Sequence, residues 1–218
     1  SRPEGATPLR QPRIVAMLPA AGWNLLGRLG FRFDALSLQD LNAGPDLAAY
    51  DVLVNDTVSL SYTGLGPKGQ KSLTGFFAAG GDYVGLSAGG AELARELGVM
   101  AFSAYNPPGN SIVRVDLAAG YPVAAGFGPE DYVFLNSAVL FADLSEGVQV
   151  AASLDGDGFF VSGWWPGWQT NDAGGAAVAI HKSAGGQDVT LIGFDTLFRG
   201  HPENGFRMVA NAIYNGLD

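Results

Sequence analysis

The segment Gly85-Leu86-Ser87-Ala88-Gly89 fits the pattern G-x-S-x-G, directly after an apolar run and before a helical stretch. Small residues around the serine let a strand turn sharply into a helix. Such a turn lifts the Ser87 hydroxyl clear of a sheet and aims the Ala88 amide at a developing oxyanion. The same residues also suit a glycine-rich turn in which Ser87 merely caps the helix. A nucleophilic serine needs a base, and the chain holds His 2, at His181 and His201. His181 closes an apolar run and precedes the turn Lys182-Ser183-Ala184-Gly185-Gly186, so it is expected to face water at a sheet edge. His201 lies in Phe198-Arg199-Gly200-His201-Pro202-Glu203, between the last apolar strand and the final helix. In a doubly wound sheet that is the edge where Ser87 stands. Glu203 is placed to orient the His201 imidazole as the third member of a triad. A second reading of Glu203 is an acidic residue in a first helical turn, behind a proline, held by the helix dipole alone.

Two further groups belong to the same survey. Asp56 ends an apolar strand, and with the loop from Ser59 to Gly66 it is expected to line the crevice near Ser87. That loop holds only Gly64 and Gly66, a thin supply for an oxyanion hole. Asp195 is expected to pair with Arg199 across a turn. Trp164, Trp165 and Trp168 bring three of Trp 4 together in Gly163-Trp164-Trp165-Pro166-Gly167-Trp168. Flat indoles suit stacking on a glycan or a peptide side chain, or packing of a loop onto the core.

The elements that must position these residues follow from the hydrophobic pattern. Short apolar runs at 13–18, 31–36, 50–55 and 82–86 alternate with helical stretches, as in strands buried on both faces between layers of helix. Pro67 opens a helix in which Leu73, Phe76 and Phe77 share a face, closed by Gly80-Gly81. From Ser111 to Phe160 the alternation becomes period two, which predicts an antiparallel extension. Apolar strands then recur at 176–180 and 189–194. The last helix carries Phe206, Val209, Ala210 and Ile213 on its inner face. The expected fold is α/β, with a doubly wound, mostly parallel flavodoxin-like sheet and an antiparallel extension. Residues 1–12, rich in proline, read as a linker or cut end, and 13–218 as a single domain.

This arrangement resembles the class I glutamine amidotransferase-like superfamily. The resemblance rests on the strand-turn-helix at Ser87 and on a last strand leading to His201-Pro202-Glu203 and a closing helix. It implies a catalytic set of Ser87, His201 and Glu203, with Ala88 at the oxyanion. Ser87 stands where amidotransferases carry cysteine, and a hydroxyl is far less acidic than a thiol, so thiolate chemistry does not transfer. A closer resemblance is to the amidotransferase-like modules at the C-terminal end of bacterial zinc carboxypeptidase-like proteins. It rests on 109–116, on 163–168 and on Leu197-Phe198-Arg199-Gly200-His201-Pro202-Glu203-Asn204. It implies an accessory domain whose partners are the other domains of a secreted parent chain.

Composition narrows the classes. The chain of 218 residues is 47% hydrophobic, 15% charged and has Cys 0, which excludes disorder, disulfide scaffolds and cysteine chemistry. A net charge of -9 opposes binding to nucleic acid or anionic membranes. With two histidines no metal site is expected, nor any cofactor. Three functions result: an accessory domain, a serine hydrolase acting on an amide or ester through Ser87, His201 and Glu203, or a glycan- or peptide-binding module using Trp164, Trp165 and Trp168.

Overall fold

The computed structural model describes residues 10–57, 60–107, 109–156, 158–166, 173–200 and 203–215. The first half alternates strand and helix: β1 (Ile14–Met17), α1 (Ala20–Arg28), β2 (Phe33–Ala35), α2 (Leu38–Ala43), β3 (Val52–Asn55), α3 (Pro67–Ala78), β4 (Asp82–Leu86) and α4 (Ser87–Glu96). Six strands follow: β5 (Ser103–Tyr105), β6 (Asn110–Leu117), β7 (Glu130–Leu135), β8 (Leu140–Ala142), β9 (Gln149–Leu154) and β10 (Phe160–Trp164). The hairpin of β11 (Ala177–Ala184) and β12 (Gln187–Ile192) and the helix α5 (Glu203–Asn215) complete the order.

One sheet runs β10-β6-β9-β11-β12-β4-β3-β1-β2, with β5, β7 and β8 attached beside this path. From β12 to β2 every neighbouring pair is parallel. From β11 outward the pairs are antiparallel; the extension expected over 111–160 is there, and β11, outside that range, joins it. Contiguous apolar residues make the central strands because both faces are covered. Ile14 and Ala16 face one core with Leu25 and Leu26 of α1 and Met208, Val209 and Ile213 of α5. Val15 and Met17 face the other, with Leu41 of α2, Leu73 and Phe76 of α3 and Leu93 of α4. The sheet is thus wound on both faces.

His181 requires a correction. Strand β11 does not stop there but continues to Ala184, turning at Gly185 and Gly186, both at positive φ. His181 therefore pairs with Thr190 inside the hairpin and is only 5% exposed. Its Nδ1 lies 3.0 Å from Thr190 Oγ1 and its Nε2 3.3 Å from Asp188 Oδ1. Burial lowers its pKa, and Asp188 opposes that less strongly.

Candidate functional site

Strand β4 ends at Leu86 in extended conformation, and Ser87 begins α4 with φ 54, in the left-handed region. A serine there is strained, since only glycine enters this region without cost. Ser87 is the first helical residue, and no side chain caps α4, so the structure does not use it as a helix cap. The glycines make the turn sterically feasible. A Cβ on Gly90 would lie 2.5 Å from the Gly85 backbone and 2.7 Å from the Asn55 carbonyl oxygen. One on Gly85 would meet Leu191 at 2.6 Å. The start of α4 is thereby pressed onto the ends of β3 and β4, with no capping side chain at its N-cap, Leu86.

Asn55 and Tyr83 lock this approach from beneath. The fully buried Asn55 donates to Tyr83 Oη (3.1 Å), and Tyr83 donates to the Gly90 carbonyl (2.8 Å). The Thr57 amide donates to Asn55 Oδ1 (3.0 Å). These supports escape a sequence reading, because nothing in YDVLVN or DYVGL marks a polar group for the interior. On the far side, Glu96 of α4 accepts from Ser61 and from the Tyr62 amide, fixing the loop after β3 against the helix.

The register Asn55↔Gly85 brings Asp56, the next residue, alongside Leu86 and Ser87. Its amide donates to the Met17 carbonyl (3.0 Å), which turns the chain over the sheet edge. Burial pushes the Asp56 carboxyl up to about 7, the adjacent Ser87 hydroxyl pulls it down, and the nearby Asp195 carboxylate pushes it up. Asp195 is itself raised by burial, offset by amide hydrogen bonds from Asn136 (2.6 Å) and Ser137 (2.9 Å). Those amides replace the expected pairing of Asp195 with Arg199. The Arg199 guanidinium lies over the Phe198 ring instead, 5.1 Å from its centroid, because Arg199 at φ 51 turns the chain there. Two partly buried carboxylates and a strained serine thus meet at one edge of the parallel sheet.

The other expected residues are distributed differently. His201, Pro202 and Trp168 lie outside the described residues. Glu203 is the first residue of α5, exposed, with Oε1 2.9 Å from the Arg28 guanidinium at the end of α1. The tryptophan pair divides: Trp165 is buried edge-on against Phe159 at 5.1 Å, whereas Trp164 is 60% exposed at the end of β10. A cleft of about 570 Å³ lies between β6–β7 and the start of α5, lined by Ile112, Tyr132, Phe134, Phe198, Asp195 and Glu203 among others. Ser87 is not in its lining; Asp195 is, and its charge acts on Asp56.

No protein family and no curated protein sequence matches the chain. Solved structures do. A protein from Thermoplasma acidophilum, described as one of the subunits of a GMP synthase, superposes with TM-score 0.64 at 13% identity, over 94% of each chain. A ThuA-like protein from Bacteroides uniformis gives 0.61 at 15% identity, over 97% of this chain and 94% of that one. A glutamine amidotransferase from Thermotoga maritima gives 0.56 at 12% identity, over 94% and 96%. The fold is that of class I glutamine amidotransferase-like proteins. At such identities the likeness defines architecture, and the chemistry must be argued from the site.

Proposed function

We propose that this domain is a serine hydrolase acting on an amide or ester, with Ser87 as nucleophile and the Ala88 amide as an oxyanion donor. The observation that carries the reading is the left-handed Ser87 at an uncapped strand-to-helix junction, the geometry of a nucleophile elbow. Strain of this kind persists only where the surroundings enforce it, here Gly85, Gly90, Asn55 and Tyr83. Ser87 Oγ attacks the carbonyl carbon, and the oxyanion forms at the amino end of α4, where the first-turn amides and the helix dipole favour negative charge. His201 with Glu203 is the proton relay that the resemblance implies. A fluorophosphonate probe should label the native protein at one site, and Ser87→Ala should abolish labelling while leaving the circular dichroism unchanged. An unlabelled wild type would refute the reading.

A second reading is the non-amidotransferase accessory domain of a larger, secreted zinc carboxypeptidase-like protein, assisting substrate contact or domain organisation. Its support is the Arg28–Glu203 ion pair, which engages the third member of the implied triad. Removing the domain from the parent should then alter the parent's turnover or stability; an unchanged parent excludes this role.

A further inference from the structure

Among the described residues, the titratable side chain set beside Ser87 is the carboxyl of Asp56. The register Asn55↔Gly85 and the Asp56–Met17 backbone bond set Asp56, directly after β3, beside the β4–α4 junction that bears Ser87. Among the described residues, the charged and titratable groups facing Asp56 are few. Strand β1 offers the apolar Met17, β4 the buried Tyr83 phenol, α4 the Ser87 hydroxyl, and the chain after β12 the Asp195 carboxylate. Asp195 is held by two amides donated from Asn136 and Ser137, so it stays in place as a fixed second acid. An ordinary carboxylate is too weak a base for serine; one that is buried beside another carboxylate is strengthened.

We propose that Asp56 is the general base for Ser87, giving a serine-carboxylate site. The inference rests on the Ser87 reading and reassigns the proton acceptor within it. As Ser87 Oγ bonds to the substrate carbonyl carbon, its proton passes to the Asp56 carboxylate. Collapse of the tetrahedral intermediate breaks the bond to the amine or alkoxide, which leaves with the proton from Asp56. The regenerated carboxylate then takes a proton from water as the hydroxide attacks the acyl-Ser87 ester. Release of the acid returns that proton to Ser87. No oxidant or further reactant is consumed. Asp195, through its charge, is a positioning residue that keeps Asp56 basic.

The test is the rate of fluorophosphonate labelling against pH for wild type, Asp56→Asn, Asp56→Glu and His201→Ala. Expected is a wild-type rate that rises through pH of about 7, the value to which Asp56 is raised. Asp56→Asn should lose at least about 100-fold and the rise itself, as removal of a general base requires. Asp56→Glu should recover part of the rate with a displaced midpoint, a rescue that a purely structural residue would not show. His201→Ala should keep the rise. Asp56→Asn labelling within about threefold of wild type, or His201→Ala losing the rise while Asp56→Asn keeps it, would overturn the proposal and leave Ser87 as nucleophile. An unlabelled wild type would instead overturn the serine reading and this inference together.

Discussion

Asp56 and Ser87 directly follow the carboxyl ends of the adjacent parallel strands β3 and β4, which pair in register. In open α/β sheets this edge is where ligands are handled, because strand ends and helix amino termini converge there. Here the edge combines a strained serine with an acid whose pKa burial raises, an arrangement that costs stability.

The cost at Asp56 can be read as a pH dependence. Its carboxyl is raised from 3.8 to about 7, so the folded state binds this proton more tightly than the unfolded chain. The resulting stabilisation is complete below pH 3.8 and is lost as pH rises through about 7. Asp56→Asn should therefore be more stable than wild type at pH 8, by on the order of 2 kcal/mol after allowance for the solvent the carboxyl still meets. At pH of about 3.5 the two should unfold at the same urea concentration.

His181 titrates with the opposite sign. Its pKa is lowered on folding, so its contribution is present above the unfolded value of 6.5 and lost as pH falls through the folded value. The imidazole resonances assigned to His181 should show a midpoint below 6.5 by NMR, and acid unfolding should be less steep in His181→Gln. A midpoint at or above 6.5 would contradict the buried hairpin position.

Strain at Ser87 predicts a gain on removing the side chain. Ser87→Gly should raise the unfolding free energy by about 1 kcal/mol, since glycine adopts the left-handed region freely, while abolishing probe labelling. Ser87→Ala keeps a Cβ, hence the strain, and should gain nothing. Equal stabilities for the two variants in urea would show that the turn is relaxed.

Two glycine substitutions should behave in opposite ways. Gly90→Ala would drive a Cβ to 2.5 Å from the Gly85 backbone, which cannot rotate aside, and is expected to lose about 2–3 kcal/mol or more. Gly75→Ala, inside α3 with nothing within 4 Å of the new Cβ, should gain about 0.5–1 kcal/mol. Thermal melts of both variants measure the difference.

The tryptophans separate packing from recognition. Trp165→Ala removes a buried ring stacked edge-on against Phe159 and should cost about 3–5 kcal/mol. Trp164→Ala, at an exposed position, should change stability by less than about 0.5 kcal/mol. If the domain binds glycans or peptides here, Trp164→Ala should abolish the fluorescence change seen on titrating oligosaccharides. A wild type silent across such a panel would remove the binding reading.

Much of the architecture was legible in the chain. The contiguous apolar runs at β1, β3 and β4, Pro67 opening α3 and the period-two pattern at β6 are local signals, and local sterics and burial dictate the element each forms. The six-residue α2 was not legible by periodicity, being too short to repeat a face; its signs are the Ser37–Asp40 capping box and the left-handed Gly44. The serine turn was legible through Gly85-Leu86-Ser87-Ala88-Gly89, because its glycines answer to a backbone requirement at that same spot. What the tertiary structure alone decided is which side chains meet. His181, beside a glycine turn, reads as a surface residue until strand β12 covers it, and Asp195 reads as a partner for Arg199 until the chain after β7 delivers two amides to it. Asp56 and Ser87 become neighbours only because β3 pairs in register with β4. Element type follows from a residue's neighbours in sequence, whereas a site depends on strand order and register, which the balance of burial across the whole sheet selects.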